Sequence, residues 1–305
     1  MDMAAARQES PRTHPYRVIE VSPIAGALGA EIAGVDLSRE LPDDAMAEIR
    51  AALLGHQVIF FRDQKLTPEQ QIAFARRWGE ILFFPLADGI EGHPEILEVK
   101  KTPSDKKNVG NFWHSDQMFQ VRPAMVSILY GRVVPSYGGD TMFSNQYLAY
   151  ETLSSGMKKM LSGLRTVSSS AHLKRGGGED AMGEGKPKLD TIGTGLKVHD
   201  PGSARLTGSH PLIRTHPETG RKSLFISNGH THGFEDMTEA ESRPLLDYLM
   251  KHSTQPEHTC RFRWRAGSLA IWDNRCTQHL ALNDYPNETR IMHRITIHGD
   301  EPFAS

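Results

Sequence analysis

Cysteine is almost missing from this chain: Cys260 and Cys276 are the only two among 305 residues. They make no C-x-x-C pair and no even framework of spacings, which excludes a disulfide-stapled scaffold and suits a reducing cytoplasm. An excess of either charge is missing as well. Thirty-five Lys and Arg stand against 37 Asp and Glu, a formal net charge of -2, and the basic residues are dispersed, so no field of one sign favours nucleic acid or an anionic membrane. Nor is there a long apolar run. Nothing approaches the roughly 18 to 20 residues of a membrane-spanning helix, and the first twenty residues carry no apolar signal-peptide core. These absences leave a soluble, cytoplasmic protein. Its expected partners are small molecules or protein surfaces, a second copy of the chain included, with no nucleic acid and no membrane.

What is present is enough chain to bury a sizeable core as one large or two smaller domains. Residues 1–15 are polar with Pro11 and Pro15 and read as a flexible tail, followed by a single domain over 16–305 without repeats or linkers. Short alternating stretches between 17 and 35 suggest two strands around a tight turn. Met46, Ile49 and Leu53 recur at helical spacing before the buried strand Q-V-I-F-F-R. Thr67, Pro68 and Gln70 predict a capped helix start, and Thr238 with Glu241 predicts another, with Pro244 expected to kink or restart it. A-M-V-S-I-L-Y-G-R-V-V reads as a long strand, and the C-terminal part as three strands alternating Arg with Phe, Trp or Ile. The glycine-rich stretch 174–208 predicts a long loop with the character of a lid. The sum is an α+β, mainly β fold: a two-sheet β core with flanking helices.

Among 15 histidines, His114 in N-F-W-H-S-D is the informative one. On an extended strand, the spacing to Asp116 would aim an imidazole and a carboxylate at a common point. With one further histidine such a pair makes a 2-His-1-carboxylate triad, the donor set of non-haem Fe(II) oxygenases. The same pattern recurs at His298-Gly299-Asp300, where little chain remains to supply a third ligand. Downstream, His279 follows S-L-A-I-W-D-N, and Arg290 and Arg294 fall on one side of a strand. Two guanidiniums facing a core call for anions docked against them. Two readings compete with an oxygenase at this point. A zinc hydrolase could use the same ligands, and a non-catalytic β-rich protein could use the pocket for ligand binding alone.

The segments W-H-S-D, G-G-D-T, W-D-N-R-x-T-Q-H and R-I-M-H-R-x-T-I-x-G-D resemble those of the Fe(II)/2-oxoglutarate-dependent dioxygenases of the taurine dioxygenase and 2,4-D dioxygenase (TauD/TfdA) superfamily, in register from about residue 16 to the end. The resemblance implies a double-stranded β-helix, or jelly roll, with Fe(II) held by His114, Asp116 and His279, and 2-oxoglutarate and O2 as cosubstrates. It implies that Thr141 and Arg290 grip the distal carboxylate of 2-oxoglutarate and that Arg294 meets an anionic group of substrate or cosubstrate. Gly110 and Phe84 stand where taurine enzymes place polar substrate contacts, and His230 aligns with a pocket-lining aromatic position. The implied reaction hydroxylates a small organic anion, of the alkyl sulfate, sulfonate or aryloxyalkanoate type, often with later C–O or C–S cleavage, releasing succinate and CO2. The less polar pocket points away from taurine itself.

Overall fold

The computed structural model describes residues 16–85, 87–170 and 207–305. The expected tail lies outside the described residues, as does the expected lid except for Thr207 and Gly208, which belong to a strand rather than to a loop.

The largest sheet has seven strands. β1 (Glu20–Pro23) and β2 (Ala30–Ala33) form the predicted hairpin at one edge, and β3 (Val58–Phe61) runs parallel to β2. Then come β13 (Leu269–Asp273), β5 (Ala124–Val133), β15 (Arg290–His298) and β4 (Leu97–Lys101). A smaller sheet orders β12 (Thr259–Phe262), β6 (Thr141–Asn145) and β14 (Thr277–Ala281). The C-terminal alternation predicted three strands, but there are four. β14 escaped because Thr277, Gln278 and His279 are polar yet buried.

Period-2 alternation sorts the apolar side chains to two faces. Val58, Phe60, Leu129, Ala270, Trp272 and Met292 point towards the smaller sheet and pack on its Phe143, Cys260 and Phe262, with Phe60 stacked on Phe262 at 3.9 Å. Each fully buried aromatic of this layer contributes about 2–3 kcal/mol. Ile59, Phe61, Ile128, Ile271, Ile295 and Ile297 point the other way, onto α1 (Asp43–His56) and α2 (Pro68–Arg76). Because both faces are covered, β3 reads as a continuous apolar run.

The predicted caps are present. Thr67 and Gln70 bond reciprocally, with Pro68 at the first position of α2, and Thr238 and Glu241 do the same at α5 (Glu239–Ser253). α5 runs unbroken through Pro244, so the helix does not restart there. The Ala240 carbonyl that loses its partner lies in an exposed first turn, where water can replace the missing N–H. Helix α5 packs with α3 (Gln146–Glu151) and α4 (Ser155–Leu161) on a separate apolar cluster that includes Leu212, Leu224 and Phe234. The remaining strands make two small sheets, β7 (Arg165–Ser169), β8 (Thr207–Pro211) and β11 (Thr231–Phe234) as one and β9 (Ile213–Thr215) with β10 (Lys222–Leu224) as another, and the cluster draws Phe234, Ile213 and Leu224 from them. Among the described residues no helix is long and apolar enough to cross a membrane.

Candidate functional site

The sequence expected His114 and Asp116 to share a face of an extended strand. Instead His114 forms an isolated bridge to His279, and the chain turns at Asp116 with Gln117 at φ 57°. Two backbone bonds close the bridge, His114 N–H to His279 O at 3.0 Å and His279 N–H to His114 O at 2.8 Å. The bridge sets the two rings 4.0 Å apart, centroid to centroid. Ligand atoms of His114, Asp116 and His279 lie within 4.8 Å of one another, and all three residues are buried.

His114 Nδ1 lies 2.8 Å from the Phe112 carbonyl. A carbonyl only accepts, so Nδ1 carries the proton and Nε2 keeps its lone pair. Burial lowers the pKa of His114, and burial together with His114 pushes that of His279 well below the usual histidine value. Both imidazoles are therefore neutral near pH 7. Burial alone would raise the Asp116 pKa, but Arg294 above all, with a hydrogen bond from Ser127, draws it down to about 2. Two neutral imidazoles and one carboxylate fit a divalent cation. Gly110 lies close by with φ 79°, and a Cβ there would stand 3.0 Å from His114 Cε1, so the left-handed glycine lets the backbone approach the ring.

Arg290 is 4% exposed, and its Nε and Nη2 have no hydrogen-bond partner among the described residues. Burial lowers its pKa, opposed by Tyr285 and Asp140. Its guanidinium carbon lies 5.7 Å from the Trp264 ring, whose Nε1 donates to Thr141 Oγ1 at 2.9 Å. Thr141 Oγ1 thus already accepts one bond and keeps its own proton to give. Gly139, at φ 68°, lets Arg290 and Tyr285 pack against the loop before Thr141, since a Cβ would stand 3.2 Å from each.

Arg294 shares a face of β15 with Arg290 and Met292. Its Nη1 donates to Asp116 Oδ1 at 3.0 Å, while Nε is buried without a partner among the described residues. Its guanidinium carbon sits 5.5 Å from the Phe84 ring, and the two residues line a cleft with Leu82, Ala87 and Leu97. His230 is buried 6.2 Å from His114 and 5.2 Å from Phe119 between ring centroids, whereas His232 is exposed on β11.

The second H-x-D pattern gathers no third ligand among the described residues. Asp300 instead accepts from Arg214 Nη2 at 2.7 and 2.8 Å. A different cluster, His216, Asp273 and Cys276, was not anticipated. There His216 Nδ1 accepts from the N–H groups of Glu218 and Thr219, so its Nε2 donates to Asp273, 3.0 Å away. Asp273 also binds Arg275 through Nε at 2.8 Å and Nη2 at 2.7 Å. With no ring lone pair left for a cation, that cluster is an internal brace. Sequence reading also missed Ser127 and Asn274, which bind Asp116 directly. The signal was a lone serine on the inter-sheet side of an apolar strand, a position that needs a partner.

The chain is 34% identical to an alkylsulfatase of Acinetobacter baylyi over 94% of its own length and 87% of the relative's. It is 35% identical to an alpha-ketoglutarate-dependent sulfate ester dioxygenase of Pseudomonas putida, over 96% and 94% of the two chains. Among solved structures, a taurine dioxygenase from Burkholderia xenovorans superposes with a TM-score of 0.77 at 37% identity, covering 94% of this chain and 92% of that one. Residues 20–296 match the description "Taurine catabolism dioxygenase TauD, TfdA family", and the chain belongs to that family.

Proposed function

We propose that this protein is an Fe(II)- and 2-oxoglutarate-dependent dioxygenase that hydroxylates small organic anions, with sulfate esters as the favoured class. The observation that carries the reading is the convergence of His114, Asp116 and His279 at one buried point. These three would hold Fe(II) and leave three positions for cosubstrate and O2. Held there, iron would supply oxygen activation, with one atom of O2 ending in succinate as CO2 is lost from 2-oxoglutarate and the other on a substrate carbon. For a sulfate ester, hydroxyl placed on the carbon that bears the ester oxygen breaks down to an aldehyde and free sulfate.

The chain's own residues supply binding and orientation. Arg290, with two buried donors to spare, would take the distal carboxylate of 2-oxoglutarate, and the Thr141 hydroxyl would give that carboxylate a third bond. A zinc hydrolase needs no such grip, and a pure binding module needs no complete triad. Arg294 would present its remaining donors to the substrate anion while Phe84 packs against the apolar body. His230 would line the pocket beside His114. Gly110 would leave that wall without a polar side chain, which supports sulfate esters over taurine. These assignments accompany a jelly-roll reading of the two sheets and a single domain over residues 16–305.

The test is succinate release with Fe(II) and 2-oxoglutarate in the presence of hexyl sulfate, phenoxypropionate or taurine. Turnover that requires both iron and 2-oxoglutarate and is greatest with hexyl sulfate is expected. Hydrolysis of the ester without O2 would overturn the class, and a preference for taurine would overturn the substrate assignment.

A further inference from the structure

Ser127 breaks the apolar run of β5. It is fully buried, and alternation places it beside Leu129 on the face towards the smaller sheet. A hydroxyl buried in such a layer is costly unless paired. Its Oγ donates to Asp116 Oδ2 at 2.6 Å and accepts from Asn274 Nδ2 at 2.9 Å. Asn274 Oδ1 in turn accepts from the Asp116 backbone N–H at 3.1 Å and from Trp272 Nε1 at 3.0 Å. Indole N–H only donates, so it fixes which end of the Asn274 amide is oxygen. The other end must then give its proton to Ser127, and the single proton of Ser127 must go to Asp116.

One amide therefore holds Asp116 at two points, its backbone directly and its carboxylate through a hydroxyl. The carboxylate cannot rotate without losing the Ser127 bond. Oδ2 is turned to the sheet, and Oδ1, 3.9 Å from His114 Nε2, is turned to the imidazoles. Arg294 also donates to Oδ1 but uses only one of its two lone pairs.

We infer that Ser127 and Asn274 are positioning residues that make Asp116 offer a metal ion one oxygen, Oδ1, in place of both. The consequence is coordinative. A carboxylate binding through one oxygen completes a three-donor face and leaves three of six positions open, whereas one binding through two oxygens closes a fourth. The inference rests on Asp116 being a metal ligand, as proposed above, and goes further by naming what fixes its binding mode.

Titration with Co(II) alone, followed by its visible absorption, separates the two ideas because the spectrum reports both affinity and coordination geometry. Asp116→Ala should lose binding. Ser127→Ala should bind about 10- to 100-fold more weakly, the usual cost of losing an outer hydrogen bond to a metal ligand, and with an altered spectrum. Ser127→Thr keeps the hydroxyl and should recover both affinity and spectrum. Ser144→Ala is the control: Ser144 is equally buried, on β6, and donates to the Ser253 carbonyl away from the site. Its variant should bind Co(II) as the unmodified protein does. Unchanged affinity and spectrum in Ser127→Ala would overturn the inference and leave the ligand assignment standing, as would an equal loss in Ser144→Ala. Undiminished binding by Asp116→Ala would overturn the ligand assignment and this inference with it.

Discussion

Replacing Arg290 by Met should move stability and cosubstrate affinity in opposite directions. Arg290 is 4% exposed, and two of its nitrogens have no partner among the described residues, so the folded protein carries a poorly compensated charge that the proposed anion would relieve. Asp140 gives partial relief, but one of its oxygens is already bound by Arg261 Nε at 2.6 Å, a bond that survives the substitution. Swapping a buried charge for an apolar side chain of similar size is often stabilising by about 1–4 kcal/mol. At roughly 2 °C per kcal/mol for a chain of this size, Tm without 2-oxoglutarate should rise by a few degrees. Binding should suffer instead. Truncating one partner of a buried charge pair costs about 2–5 kcal/mol, or roughly 30- to 4,000-fold in Kd. Anaerobic titration of the Mn(II)-loaded protein with 2-oxoglutarate, read by tryptophan fluorescence, suits the question because Trp264 adjoins Arg290. Saturating 2-oxoglutarate should raise Tm in the unmodified protein and not in Arg290→Met. Arg290→Lys should recover little affinity, since an ammonium lacks the planar fork that meets a carboxylate with two parallel bonds. A Kd within threefold of the unmodified value, or a Tm that falls, would rule out Arg290 as the proposed carboxylate grip.

His114→Ala, Asp116→Ala and His279→Ala should each abolish 2-oxoglutarate-dependent turnover in an O2-uptake assay, while His298→Ala keeps it. Gly110→Ala should weaken Fe(II) binding in an anaerobic titration, because its Cβ would stand 3.0 Å from His114 Cε1 on a backbone at φ 79°. Phe84→His should lower kcat/KM for hexyl sulfate more than for taurine; an unchanged ratio would remove Phe84 from the pocket. Burial, with help from Arg132, lowers the His293 pKa from 6.5 to about 4. Its contribution to stability is therefore complete above pH 6.5 and lost as pH falls towards 4. Discounted for partial contact with solvent, that contribution is about 1 kcal/mol. His293→Asn should accordingly flatten the decline of Tm over that window.

Local signals carried much of the fold. The caps at Thr67 and Thr238 depend on a few adjacent residues, and β3, β5, β13 and β15 announce themselves by runs or alternation. Of the site, the residue types and order were legible, but the way they meet was not. His114 and Asp116 converge through a turn and a backbone bond that Asp116 donates to Asn274, not along a strand, and no two-residue spacing encodes that. β14 stayed hidden because its inward residues are polar, a pattern that resembles a surface loop unless the facing partners are known. Ser127 looked like a minor interruption of an apolar run for the same reason: its meaning lies in a residue 11 positions upstream and another 147 downstream.

The bridge that seats the two imidazoles joins distant parts of the chain. Beside it, Ser115 Oγ donates to the Thr277 carbonyl at 2.6 Å across 162 residues. Closing so long a loop has a high entropic cost and rewards it only when the strands on both sides have docked. During synthesis His114 emerges well before its partner, so an incomplete chain has at most two of the three proposed ligands and no backbone to align them. Metal capture should accordingly be one of the last events in folding, and a chain truncated before β14 should hold Fe(II) no better than an unstructured peptide.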